Sequence, residues 1–398
     1  MFATTIGLAG LPLGSTGCSV APFQAVSSAE GRAHEPSLAV FDHGMTVAWY
    51  DTRADRGDLY ARRLDDDGRP VGPEMPLTQG PNDALEPDVQ PLPGDAFAMA
   101  WYEKALDGRL QPRVGVWTRD GVRRWAKAVS AAGRNALVRV AGSRLLVAWV
   151  QDDGEDRAGV WAGWWTLDGD VVSPPRRLAD AGRTTWNLNA AVAGPDPATP
   201  ASSAARAGRA WVVFDARAGT RAEEIFAVDA SPDATSPAVR LTADDGAPSK
   251  YPDLALARDR LALAWFDERD GNQEVYLAVG PRARLDDRRA TAGLPASRIT
   301  TSAGHSIGAY LAWNGDRLGL AWSDDTSGQH EVFMQTFGAD GAAREPARPL
   351  TQTAASSLIP AIRPWRSGFA LTWNEYDASG GAGHAATAPS TVVATLVP

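Results

Sequence analysis

Two stretches of the chain read almost as copies, VAWYDTRADRGDLYARRL (47–64) and LAWFDERDGNQEVYLAV (263–279). Each is an apolar run ending in Ala-Trp. An acidic residue follows two places on, an arginine two further, then a turn and a second apolar run. Degenerate versions open at Met99, Val147, Val212, Leu320 and Leu371. The Trp position falls at 49, 101, 149, 213 (a valine here), 265, 322 and 373, every 48 to 64 residues. Seven strand-rich units of this length predict an all-β, seven-bladed β-propeller of four-stranded blades.

Each unit divides into four strands. In the first they are expected at 37–41, 45–51, 59–65 and 74–78, separated by Gly-containing turns such as Asp42-His43-Gly44. The runs are apolar on both faces, as in LALAWF (261–266), because a blade is covered on both sides by its neighbours. The seventh unit supplies strands at 358–362, 369–375 and 391–397, and then the chain stops one strand short. Residues 22–36 resemble the joins at 74–87 and 127–137. The N-terminal segment is therefore expected to complete blade seven beside the C-terminal strand.

The string 265–279 resembles the repeats of bacterial sialidase-like propellers of the BNR type, which carry W-x-D-x-R-x-G-x-x-E-[IV]-Y. The Asp box of that family is approached only by Ser231-Pro232-Asp233-Ala234-Thr235. The resemblance covers all seven units and implies the fold. For sialidases it also implies an arginine triad, a Tyr/Glu nucleophile pair, an aspartic acid and an early Arg-Ile-Pro; that tripeptide is absent. No catalytic residue is assigned.

The remaining composition narrows the function. The chain has 398 residues, 15 tryptophans, 39 glycines, 28 prolines and a net charge of −9. An acidic chain without a basic stripe is not expected to bind nucleic acid. The single cysteine, Cys18, excludes an internal disulfide, and five scattered histidines show no ligand spacing; neither a metal nor a cofactor is expected. Residues 1–21 read as a leader and tether resembling the end of a lipoprotein signal, with Cys18 as the lipidated residue and the propeller spanning 22–398. That places the protein in the cell envelope, exported, touching a membrane only through its lipid.

The acidic position after each Trp carries Asp51, Asp215, Asp267 and Asp324, with arginines at Arg53, Arg217 and Arg269. A residue repeated around a ring is read as architecture, since ligands rarely share sevenfold symmetry. Departures from the repeat are the candidate ligand contacts: Glu103, Lys104, Trp186, Asn187, Lys250, Tyr251, His305, Glu375 and Tyr376. All are assigned to the rim of the strand-two-to-three loops, around the mouth of the central channel. The expected function is non-enzymatic binding or scaffolding for a protein or glycan partner. The alternative is a sialidase-like glycoside hydrolase or a polysaccharide lyase. The inserts at 194–209 and 280–296 read as tolerated surface loops.

Overall fold

The computed structural model describes residues 22–28, 32–154, 157–182, 187–193, 208–287, 293–377 and 389–398. Cys18, the leader and Trp186 lie outside them. The described chain forms seven four-stranded antiparallel sheets, so the seven-bladed propeller stands. Blade 1 comprises Ala33–Val40, Met45–Asp51, Asp58–Leu64 and Pro70–Pro76, from the channel outward. Blades 2 to 6 repeat this order, and each begins with its innermost strand.

Blade 7 is assembled from both ends of the chain. Its strands Ser356–Trp365, Gly368–Tyr376 and Ser390–Val397 are completed by Gln24–Ala25. Gln24 faces Ala394 and Ala25 faces Val393, antiparallel. The Val26 amide donates to the Val392 carbonyl, and the Val392 amide to the Ser27 hydroxyl. The N-terminal strand covers an edge that would otherwise present unpaired backbone groups.

The core is not one mass but seven layers, one between each pair of neighbouring blades. Both faces of a blade are therefore apolar. In blade 3, Trp164 packs toward blade 4 while Trp165 packs toward blade 2, as alternation along a strand requires.

Two local expectations change. Strand one is longer than its apolar run: in blade 1 it starts at Ala33, not at 37. The polar tripeptide His34-Glu35-Pro36, the end of the 22–36 join in the sequence, forms a bulge within that strand, with the register shifting between His34 and Ser37. The first part of the 280–296 insert, residues 280–287, packs against the sheets. Arg282–Asp286 forms a 3-10 turn that buries Leu285 in the layer between blades 4 and 5. Asp286 accepts hydrogen bonds from Arg209 and from the Trp211 indole.

Candidate functional site at the channel mouth

Asp51, Asp215, Asp267, Asp324 and Glu375, at this position of five blades, all accept hydrogen bonds from their own blade, the adjoining link or the next blade. Asp267 is fully buried. It accepts from the Trp265 indole (2.9 Å), the Ser249 hydroxyl (2.8 Å), the Arg269 amide (3.0 Å) and the Arg269 guanidinium (2.6 and 2.8 Å). Asp51 accepts from Trp49, Arg53 and the Arg32 amide. Burial works to raise both carboxyls, but the arginine and its companions outweigh it and hold them below the usual range. Asp324 takes Ser306 and Thr326, and Glu375 takes Ser357, Thr353 and the Trp373 indole. Asp215 accepts amides of Asn187 and Tyr251, tying its blade to the next. Arg217 departs from the pattern, donating to the Arg221 carbonyl.

A second repeated feature surrounds the axis. Strand one carries a register shift in blades 1, 2, 3, 5, 6 and 7. The bulge residue has left-handed backbone each time: Glu35 (φ 50°), Glu86 (52°), Asn135 (52°), Tyr251 (54°), Gly308 (63°) and Ile359 (58°). Such a conformation costs a non-glycine residue of order 1 kcal/mol. Four of these residues precede proline, which lacks the amide a regular ladder would use. Bulges re-aim side chains, and these six residues line a cavity of about 900 Å³ on the propeller axis, to which every blade contributes.

Below the bulges a polar belt joins successive inner strands. The Val89 amide donates to Ser37 Oγ, the Val138 amide to Asp88 Oδ2 and the Leu311 amide to Asp253 Oδ2. Arg139 bonds Asp88 (2.7 Å) and Asn189 (2.6 Å), and the Asn189 amide donates to Asp253. This belt is internally satisfied. Arg363 lines the cavity with Arg139 and donates to the Ile362 carbonyl. Burial, then the neighbouring Arg139 charge, lowers its affinity for its proton.

The mouth is different. Tyr102 Oη donates to Glu86 Oε1 at 2.9 Å. Burial raises the Glu86 carboxyl, while the Tyr102 bond and the Arg134 charge act against it. Glu35 has neither aid. Its backbone amide donates to Asn374, and its carboxylate has no hydrogen bond or ion pair among the described residues. Burial, and then the Glu86 charge, push it well above the usual range. Beside them His34 stacks on Tyr50 (5.0 Å between centroids) and approaches Tyr376 Oη at 3.4 Å. Tyr50, Tyr102, Tyr251 and Tyr376 are all raised chiefly by burial, so they remain hydroxyl donors at neutral pH.

Of the residues singled out from sequence, Asn187, Tyr251 and Tyr376 line this cavity. The others do not. Glu103 pairs with Arg113 at 3.2 Å in a separate cleft of about 70 Å³. Lys104 and His305 lie exposed on the rim. Lys250 approaches Glu268 at 4.0 Å, and Glu375 serves the acidic ring. Sequence reading missed His34, Glu35, Glu86, Asp88, Arg139, Asp253 and Arg363. The signal was present in the dipeptides Glu35-Pro36, Glu86-Pro87, Tyr251-Pro252 and Ile359-Pro360, which recur at the start of strand one. Among the described residues no group of three or more His, Cys, Asp and Glu is placed to hold a metal ion, and no helix is long and apolar enough to cross a membrane.

No protein-family model and no curated protein matches the sequence. Solved structures do match in fold. A protein of unknown function from Dyadobacter fermentans aligns over 95% of this chain and 98% of its own, at TM-score 0.56 and 10% identity. The polysaccharide lyase Uly1 aligns over 91% and 90%, at TM-score 0.54 and 10% identity. The α-L-arabinofuranosidase Arb93A of Fusarium graminearum, solved with an iminosugar inhibitor, aligns over 79% and 93%, at TM-score 0.50 and 12% identity. At such identities the likeness is one of fold: a seven-bladed β-propeller with structural neighbours among propellers that act on polysaccharides and glycosides.

Proposed function

We propose that this chain is an exported propeller that binds a glycan segment in the mouth of its central channel. One observation carries the reading: tyrosines that keep their hydroxyl protons and two carboxyls converge on one cavity lined by all seven blades. Such a wall offers aromatic faces for the C–H surfaces of sugar rings and many hydroxyl, carboxyl and amide groups for their hydroxyls. It offers little net charge, which suits a polyhydroxylated ligand better than a charged peptide. The fold neighbours that act on polysaccharide and arabinofuranoside support the same direction.

The test is an array of plant, algal and bacterial oligosaccharides, followed by calorimetry. The paired substitution Tyr251→Ala and Tyr376→Ala should lower affinity at least tenfold. The pair Lys104→Ala and His305→Ala, on the rim outside the cavity, should leave it unchanged. No binding to any oligosaccharide, or loss confined to the rim pair, would overturn the assignment.

Lipidation at Cys18 and a place in the cell envelope belong to the same proposal. Metabolic labelling with a fatty acid should mark the full chain and fail with Cys18→Ala. Labelling that survives the substitution rejects the anchor.

A further inference from the structure

We infer that the channel mouth hydrolyses O-glycosidic bonds, with Glu35 as the acid and Glu86 as the carboxylate that activates water. The inference rests on the glycan reading above and takes it one step further, from binding to cleavage.

The first argument is positional. The bulge is demanded of six blades, but a carboxyl is not: the same place carries Asn135, Tyr251, Gly308 and Ile359 elsewhere. Acids occupy it only in blades 1 and 2, which are neighbours in the ring. Glu35 and Glu86 lie on neighbouring inner strands and line the same cavity, and the bulge itself asks for neither carboxyl.

The second argument is that their surroundings differ. Glu86 is held by the Tyr102 hydroxyl at 2.9 Å, within reach of the Arg134 charge. Glu35 faces the cavity with no bonded partner for its carboxyl among the described residues. Two carboxyls in one cavity, one supported in its anionic form by a hydroxyl donor and one not, are the kind of pair that glycoside hydrolysis uses.

The step balances with water alone. The Glu35 O–H proton passes to the bridging oxygen as the bond from that oxygen to the anomeric carbon breaks. Glu86 removes a proton from a water whose oxygen bonds to the same carbon. One water is consumed and two shorter saccharides leave. Glu35 ends ionised and Glu86 protonated, and exchange with solvent restores both. Tyr102 is a positioning residue, acting through Glu86.

The experiment compares the wild-type chain with Glu35→Gln, Glu86→Gln and Tyr102→Phe. Each is tested on the oligosaccharides bound in the array and on 2,4-dinitrophenyl glycosides, whose leaving group needs no proton. Glu35→Gln should cut oligosaccharide cleavage by about a thousandfold, the scale of one general acid, while dinitrophenyl glycosides lose little. Glu86→Gln should abolish both. Tyr102→Phe should move the basic-carboxylate limb of the pH profile upward, which a merely structural role would not do. Calorimetry on the same variants should show oligosaccharide binding retained. A wild-type chain that binds an oligosaccharide but cleaves neither class overturns the inference and leaves the binding assignment intact. Equal loss on both substrate classes in Glu35→Gln overturns the acid role. Absence of all binding removes the glycan reading and this inference with it.

Discussion

The Trp-Asp-Arg ring and the bulge ring both recur around the molecule, yet they repeat different things. In the first, an acidic side chain recurs in most blades and is satisfied on the spot: Asp267 with Trp265, Ser249 and Arg269, Asp51 with Trp49 and Arg53. In the second, only the backbone is kept. Left-handed residues recur, but their side chains run from glutamate to isoleucine. The difference teaches how such a fold divides its labour. Where residue type repeats, every blade needs the same bond. Where conformation repeats and residue type varies, the frame is aiming different chemical groups into one space.

That comparison can be broken at several points. The largest effect should come from the frame's closure. Deleting 22–28 removes the buried Val26 and strips the hydrogen-bonded cover from the 390–397 strand. The urea midpoint should fall further than for any single substitution. A deletion that unfolds like the parent would mean the ring does not need this strand.

Next is Asp267→Ala, which leaves the Arg269 guanidinium half-buried and the Trp265 indole and Ser249 hydroxyl without their acceptor. The expected loss is about 3–5 kcal/mol by denaturant titration. A loss below about 1 kcal/mol would place the acidic ring outside the frame.

Glu224 sharpens the comparison through pH. It begins strand three of blade 4, fully buried, and accepts a bond from Thr242 at 2.6 Å. Burial raises its carboxyl from the ordinary 4.5 to about 7. The folded chain therefore holds this proton where the unfolded chain releases it. Its contribution is complete below pH 4.5 and is lost as pH rises through about 7, a change of up to about 3 kcal/mol. Glu224→Gln should flatten stability between pH 5 and 8. An unchanged slope would show that other groups set it.

The smallest effect should be Glu35→Gln. Its carboxyl serves no bond of the frame, so stability at pH 5 should move by no more than about 0.5 kcal/mol. A loss comparable to that of Asp267→Ala would erase the distinction between the two rings.

The apolar runs, the Trp spacing and the strand missing from the seventh unit made the ring, its blade count and its mode of closure legible without coordinates. These depend on local periodicity and on counting strands. The acidic ring was visible for the same reason, because its residues recur at a constant offset from Trp. The channel mouth was not. Glu35 and Glu86 are 51 positions apart in the chain, and nothing in either neighbourhood marks them as a pair. Their dipeptides with proline read as breaks between strands, whereas the bulge makes them part of strand one. Packing blade 2 on blade 1 brings their inner strands together, and both glutamates line the axial cavity. The burial of both carboxyls, and the Glu86 charge that adds to it at Glu35, exist only in that arrangement. Sequence alone determined the frame through period and hydrophobicity. The tertiary structure decided which of its irregular residues share a space, because convergence on an axis is a property of the closed ring and of no single repeat.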